Sequence, residues 1–321
     1  MKKIVVTREV FTETIDFLKS HFDVASNQED RLFRRNELLS LISGAEGIQT
    51  GSGDQVNDEF LDAAPQVKIV ANTAVGYNNI DVDACSRRGV IVTNTPGVLD
   101  ECVADYAMGL MIAACRRIGE GERFLRSGQW KAVYFKQMLG VDIHGGTLGL
   151  VGFGRIGQAI ARRANGFGMR VIYHARSRVS EDVEQNLNAT YVDKSHLLQE
   201  SDVVLLILPY SKDTHHFIGA RELRQMKPRS VLVNIARGGI VDDNALIMAL
   251  RDGVIFAAGL DVYEGEPALN PEFLELENVV LSPHIGSASE PTRRAMAMTA
   301  AKNLVAVLAH GQAPLNWVNP R

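Results

Sequence analysis

Cysteine is scarce in this chain, with only Cys85, Cys102 and Cys115. The odd number and the lack of metal-type spacing exclude a disulfide scaffold and a cysteine-based zinc site, so free thiols in a reducing compartment are expected. Long apolar runs are missing as well; no stretch approaches the ~18 residues of a membrane span. The opening "MKKIVVTREVFTETIDF" offers only "IVV" before charge returns, which reads as a first strand rather than a secretory signal. Positive charge is not in surplus. Lys and Arg total 34 against 38 Asp and Glu, for a net charge of −4, and no basic face is evident. Nucleic acid is therefore not an expected partner. Together these absences lead to the expectation of a cytoplasmic protein with no membrane partner. No metal site is read from the sequence.

What the chain does have is a regular alternation. In the first third the apolar runs "KIVVT", "FDVAS", "EGIQT", "VKIVANT" and "GVIVTNT" are separated by helical patterns such as 11–21, 35–43 and 57–64. Alternating strand and helix predicts an α/β fold with a parallel sheet covered on both faces. A second series starts at "GGTLGLVGFGRIG" and continues through "MRVIYHA", "ATYVD", "SDVVLLILP", "RSVLVNI" and "VIFAAGLDV" to "NVVLSPH". Each run is short and rich in Val, Ile and Leu, as expected of strands buried on both sides. At roughly 150 residues per domain the length suits two such doubly wound units.

The boundary is not expected to be a single cut. Residues 101–118, "ECVADYAMGLMIAACRRI", are apolar nearly all round and predict a buried helix. Residues 289–309 predict a second long helix, followed by the extended tail "PLNWVNPR". If that tail returns to the first unit, the chain crosses between domains twice, with the two long helices as bridges. The expected division is 1–99 with 288–321 as a flavodoxin-like substrate-binding domain, and 100–287 as a dinucleotide-binding Rossmann domain.

"LGLVGFGRIGQAIARRA" is an apolar strand, then Gly152-x-Gly154-x-x-Gly157, then a helix. The glycine pattern alone is weak; its place between strand and helix gives it force. Gly152 permits the tight turn, Gly154 lets backbone approach a pyrophosphate, and Gly157 allows close helix–strand packing. The helix start, at Arg155 and Ile156, offers N–H groups and a favourable dipole to phosphates. About 20 residues on, an NAD site usually places an acid on the ribose 2′-hydroxyl. Here Ala175 stands in that place, followed by Arg176, Ser177 and Arg178. Two guanidiniums and a hydroxyl suit a 2′-phosphate, which an acid would repel, so NADPH is expected over NADH. The alternative is that these arginines are solvated surface charges.

Three further stretches end strands with polar groups. "NIARGG" gives Arg237, "GLDVYEGEP" gives Asp261, Glu264 and Glu266, and "LSPHIGS" gives His284. In open α/β sheets ligands bind at the carboxyl ends of strands, so these groups are candidates for chemistry. The competing reading is a structural histidine and an arginine paired with Asp242 or Asp243.

These segments, with "TAVGYNNIDVDA" and "NTPGVLDECVADYAMGL", resemble the D-isomer-specific 2-hydroxyacid dehydrogenase family, in the right order from about residue 46 to 310. The resemblance implies two Rossmann-like domains, the cofactor domain inserted into the substrate domain, with a cleft, hinge closure and a homodimer. It implies that Arg237 binds the substrate, that His284 is the acid/base and that Glu266 is its partner. Gly76, helped by Val75, corresponds to the loop that holds the substrate carboxylate, and Ser52 in "TGSG" to a segment at the substrate cleft. Asp261 corresponds to the residue that contacts the nicotinamide carboxamide. Leu208, Pro209, Thr214, Ile235, Ala236 and Gly286 fall among the implied cofactor contacts.

On this reading Arg237 has no partner inside the protein because its counter-ion is a 2-oxo acid, whose carboxylate and carbonyl fit one guanidinium. Hydride comes from NADPH and the proton from His284, with Glu266 stabilising the imidazolium. Formate dehydrogenases of the family carry glutamine where Glu266 stands, and long phosphoglycerate dehydrogenases carry C-terminal modules for which little chain remains after His284. "HARSR" is most like NADP-dependent glyoxylate/hydroxypyruvate or 2-ketogluconate reductases. Trp130, Tyr134 and Phe135 either line the cleft across a dimer or are apolar packing. The alternative function is a dinucleotide-sensing interaction protein without significant turnover.

Overall fold

The structure, a computed structural model, describes residues 1–31 and 33–320. The chain forms two compact units, Met1–Leu99 with Ala288–Arg321, and Asp100–Ser287. Arg321, the last residue of the tail, lies outside the described residues.

The first unit runs β1 (Lys3–Val6), α1 (Thr12–Lys19), β2 (Asp23–Ser26), α2 (Arg35–Ile42), β3 (Gly47–Thr50), α3 (Asp58–Ala63), β4 (Ile69–Asn72), α4 (Val82–Arg87) and β5 (Ile91–Thr93). All pairings are parallel, in the order β2-β1-β3-β4-β5. This is the flavodoxin-like doubly wound order. Every residue of β3 and β4 is buried, because helices cover both faces. Asn57 and Asp81 begin α3 and α4 by accepting the N–H groups of Phe60 and Ala84, which the first helical turn cannot satisfy itself.

The second unit runs α5 (Asp100–Cys115), α6 (Ile118–Arg126), β6 (Thr147–Val151), α7 (Arg155–Gly166), β7 (Arg170–His174), α8 (Glu181–Leu187), β8 (Ala189–Tyr191), α9 (Lys194–Glu200), β9 (Val203–Leu206), α10 (Ala220–Leu223), β10 (Val231–Asn234), α11 (Asp243–Arg251), β11 (Ala257–Leu260) and β12 (Val279–Leu281). Its seven strands lie in the order β12-β11-β10-β9-β6-β7-β8, again all parallel. Read from β8, this is the Rossmann order with one strand added. The direction of winding reverses between β6 and β9, which opens a crevice at their carboxyl ends.

The chain then returns to the first unit as α12 (Glu290–Leu308). The tail lies along β5: Val318 donates its N–H to the Val92 carbonyl, and the Val92 N–H is taken by the Asn319 side chain, each at 2.8 Å. α5 packs on α7, β10, β11 and β12 of the second unit, and α12 packs on α1, β3 and β4 of the first. The predicted helix 101–118 stops early. Arg117 takes a left-handed φ of +54°, and α6 begins afresh at Ile118 with no buried residue.

No disulfide links the three cysteines among the described residues. Burial pushes the Cys85 thiol up to about 11 and the Cys115 thiol to about 12, so both stay protonated and inert at neutral pH. None of the described helices is long and apolar enough to cross a membrane.

Candidate active site

The glycine loop joins β6 to α7 at the winding reversal. Gly152 has φ +99°, and a Cβ there would lie 2.4 Å from the Ile207 carbonyl oxygen at the end of β9. A Cβ at Gly157 would lie 2.7 Å from the Gly152 carbonyl oxygen. Both positions need glycine for the fold itself. Gly154 differs: its φ is an ordinary −73°, and a Cβ would meet nothing within 4 Å. The open volume above Gly154 is a cradle that a side chain would fill. α7 starts there with no side-chain cap and no acidic residue in its first turn. An uncapped, acid-free helix start facing open space fits an anion, so these residues suit a dinucleotide pyrophosphate.

β7 ends at His174, and Ala175, Arg176, Ser177 and Arg178 follow it. Arg176 and Ser177 are exposed. Arg178 is not the open phosphate ligand the sequence suggested. Its Nε and Nη2 fork onto the two oxygens of Glu184 at 2.9 and 2.6 Å. Tyr173 also donates to Glu184, at 2.7 Å, and its ring stacks on Phe153 of the glycine loop with centroids 3.9 Å apart. The Arg178 guanidinium and the Tyr173 hydroxyl hold the Glu184 carboxyl down to about 2. Nothing in the motif flagged Glu184, because its signal is tertiary: a mostly buried acid one helix away.

Arg237, Glu266 and His284 belong to this same unit, on loops after β10, β11 and β12. His284 Nδ1 and Glu266 Oε2 lie 2.7 Å apart. Glu266 Oε1 accepts the Tyr263 N–H at 3.0 Å. Burial pushes the Glu266 carboxyl up, but the His284 hydrogen bond and charge, the Tyr263 N–H and the Arg237 charge outweigh it, and the net direction is down. An ionised carboxylate only accepts, so Nδ1 carries the shared proton and Nε2 is the ring's outward-working nitrogen.

Arg237 has partners in the protein, contrary to expectation. Its Nη1 donates to the Ala236 carbonyl at 2.6 Å, and Glu266 acts on it electrostatically. Burial works against its positive charge, and Glu266 works for it. Asp242 caps α11 by accepting the Ala245 N–H, and Asp243 accepts the Glu264 N–H, so both acids have structural duties. The turn that carries Arg237 is shaped by Asn234, whose side chain accepts the Ala236 N–H and donates to the Arg237 carbonyl. Gly238 then passes so close that a Cβ would sit 1.6 Å from the Tyr263 carbonyl oxygen. Glycine is what brings the arginine turn against the loop that bears Glu266.

Asp261 was expected to reach a carboxamide. The structure gives it an internal task. Its oxygens accept Ser282 Oγ, the Ile285 N–H and the Gly286 N–H, each at 2.8 Å. It thereby clamps both ends of the turn that holds His284, whose φ is +54°. Tyr106 from α5 donates to Ser282. Sequence reasoning missed Asn234, Ser282 and Tyr106, because supporting side chains carry no motif. Of the remaining expected contacts, Leu208 and Pro209 follow β9, Thr214 closes their loop by donating to the Pro209 carbonyl at 3.0 Å, and Ile235 and Ala236 are buried after β10.

In the first unit, the carbonyls of Val75 and Gly76 are taken by the side-chain amides of Asn94 and Asn72, at 2.9 and 2.8 Å. Ser52 is exposed on the turn after β3, beside Asp54, whose carboxylate accepts the Gly51 N–H.

Residues 108–286 match the family model described as "D-isomer specific 2-hydroxyacid dehydrogenase, NAD binding domain". A glyoxylate reductase of Thermococcus gammatolerans is 47% identical over 321 residues, covering 99% of this chain and 96% of that protein. The crystal structure of a Thermus thermophilus protein superposes with a TM-score of 0.91 at 42% identity, covering 99% of this chain and 100% of that one. An NADPH-dependent glyoxylate/hydroxypyruvate reductase from Sinorhizobium meliloti, in complex with NADP and malonate, does so with a TM-score of 0.86 at 34% identity, covering 99% and 96%. The chain belongs to the D-isomer-specific 2-hydroxyacid dehydrogenase family, as an NAD(P)-dependent dehydrogenase that acts on small oxo acids.

Proposed function

We propose that this enzyme reduces a small 2-oxo acid (glyoxylate, hydroxypyruvate or 2-ketogluconate) to the D-2-hydroxy acid with NADPH. The observation that carries the reading is the 2.7 Å His284–Glu266 pair, set in one unit with Arg237 and the open glycine cradle. The reduced dinucleotide, when bound by the glycine loop, supplies the hydride. Arg237 holds the substrate carboxylate and draws electron density toward the carbonyl oxygen. Protonated His284 gives a proton from Nε2 to that oxygen, while Glu266 keeps the ring oriented through Nδ1 and stabilises its positive charge.

For cofactor choice, the support is the missing acid after β7 and the exposed Arg176 and Ser177. The named relative from Sinorhizobium meliloti, described as NADPH-dependent, agrees with it. Arg178, already forked on Glu184, serves mainly to shape the loop. Arg176→Ala should therefore weaken NADPH by about tenfold or more, the ~1.5–3 kcal/mol of a charge-assisted hydrogen bond, and leave NADH nearly unchanged. Arg178→Ala should discriminate less between the two. Kinetics of each variant with both cofactors and the three oxo acids test this; a wild type with higher kcat/KM for NADH overturns the preference.

The segment from α6 onward exposes Ile118, Leu125, Trp130, Val133, Tyr134, Phe135 and Leu139. So large an apolar surface supports a homodimer rather than a bare monomer face. A cytoplasmic location is consistent with cysteines that form no disulfide and with the protonated thiols of Cys85 and Cys115.

A further inference from the structure

The loops after β9 and β11 bring His215, His216 and Glu264 together, although they are separated by almost fifty residues in sequence. One ligand atom from each lies within 4.8 Å of the others, the single such group of His, Cys, Asp or Glu among the described residues. None of the three has a part in the mechanism above. We propose that they form a binding site for a divalent transition-metal ion of the zinc class.

The local geometry is built for it. Adjacent side chains on an extended backbone point to opposite sides. His216 instead takes a left-handed φ of +50°, and the two imidazoles stack with centroids 3.9 Å apart and planes 24° from parallel. That backbone region is uncommon for a residue with a side chain, and it turns both rings toward one point. His216 Nε2 lies 3.1 Å from Glu264 Oε2. Of the other ring nitrogens, His215 Nδ1 is 3.3 Å from the Tyr210 hydroxyl, while His216 Nδ1 is 4.0 Å from Asp242 Oδ2, beyond hydrogen-bond range. In metal sites the nitrogen remote from the ion is usually held by an oxygen partner, which fixes the tautomer and leaves Nε2 to coordinate. Zinc–nitrogen and zinc–oxygen bonds of about 2.0–2.2 Å require the donors to draw closer. The three side chains are exposed or half-buried and have room to do so.

Donor chemistry selects the ion. Two imidazoles with one carboxylate suit zinc and its neighbours, whereas magnesium and calcium favour oxygen alone. The charge around the site also asks for a cation. Two more carboxylates lie close by: Asp242 Oδ2 is 4.0 Å from His216 Nδ1, and Asp243 Oδ2 accepts the Glu264 N–H at 3.1 Å. No local pattern announces this site, because "THHF" and "VYEGE" lack metal-ligand spacing until the fold joins them.

The test is titration of the full chain with Zn²⁺ by calorimetry and with Co²⁺ by visible absorption. The variants are His216→Asn, which tolerates the left-handed backbone, and Glu264→Gln at an exposed position. His196→Ala and His284→Ala serve as controls, the latter because His284–Glu266 is the rival imidazole–carboxylate pair. The expected result is one saturable site with cobalt bands, weakened at least about tenfold in each site variant and unchanged in both controls. Absence of saturable binding overturns the proposal; the His216–Glu264 contact is then an ion pair only. Binding that survives both site variants, or that is lost in His284→Ala, overturns it equally.

Discussion

His284 and Glu266 illustrate how a side chain acquires a task from its neighbours. The imidazole sits on a left-handed turn clamped by Asp261, and its Nδ1 is committed to a carboxylate held in the ionised form. Removing the acid by His284→Ala should cut kcat by ~10²–10⁴. Glu266→Gln keeps the shape but replaces the carboxylate on Nδ1 with a neutral amide, so kcat should fall by ~10-fold or more while dinucleotide binding stays unchanged. An unchanged kcat would argue that Glu266 has no part in the chemistry. A second residue predicts a stability effect. Asp243, 8% exposed, is pushed up to about 6, above its ordinary 3.8. Its folded state holds the proton more tightly than its unfolded state, so its contribution is present below the ordinary value and is lost as pH rises through about 6. Asp243→Asn should therefore gain stability over the wild type between pH 4 and pH 7, by up to ~3 kcal/mol once the carboxyl is fully ionised. Melting temperatures of both proteins across that range would show it; a constant difference would count against it. The identities of Arg237, Glu266 and His284 were readable in the sequence, since each follows an apolar run. That Arg237 already has protein partners was not, because Ala236 and Glu266 meet it only after the turn at Gly238 forms.

At the level of the element, the strand–turn–helix β6–α7 separates two uses of glycine. Gly152 carries both a positive φ and a backbone oxygen in the way of any Cβ, so Gly152→Ala should destabilise the fold by more than ~2 kcal/mol. Gly154 has neither obstacle. Gly154→Ala should melt like the wild type and yet bind dinucleotide about tenfold or more weakly, because a methyl wedged under a ligand costs ~1–3 kcal/mol. Calorimetry of unfolding and of binding separates the two outcomes; equal loss of stability in both variants would contradict the argument. The strands were legible because their Val, Ile and Leu runs need no partner to be recognised. α6 was not, since its apolar side chains such as Ile118 and Leu125 stay exposed and meet no core within this chain.

For the whole molecule, the exposed aromatic segment gives the prediction. Phe135 is 98% exposed and lies beside the half-exposed Tyr134 and Trp130. If this face is covered by a second copy, Phe135→Glu should shift the protein toward monomer in analytical ultracentrifugation, and a wild type that sediments as a monomer would dismiss the idea. The sequence by itself determined the two parallel α/β units, the strand that feeds each polar group to a sheet edge, and the family, because buried strands, glycine turns and strand-end polar residues are written locally in residue type and spacing. Only the tertiary structure decided which groups meet. It gave Arg178 to Glu184, turned Asp261 inward onto the His284 loop, and joined His215 and His216 to Glu264. Hydrogen bonds and charge pairs act over a few ångströms between residues far apart in the chain, and no local pattern records those distances.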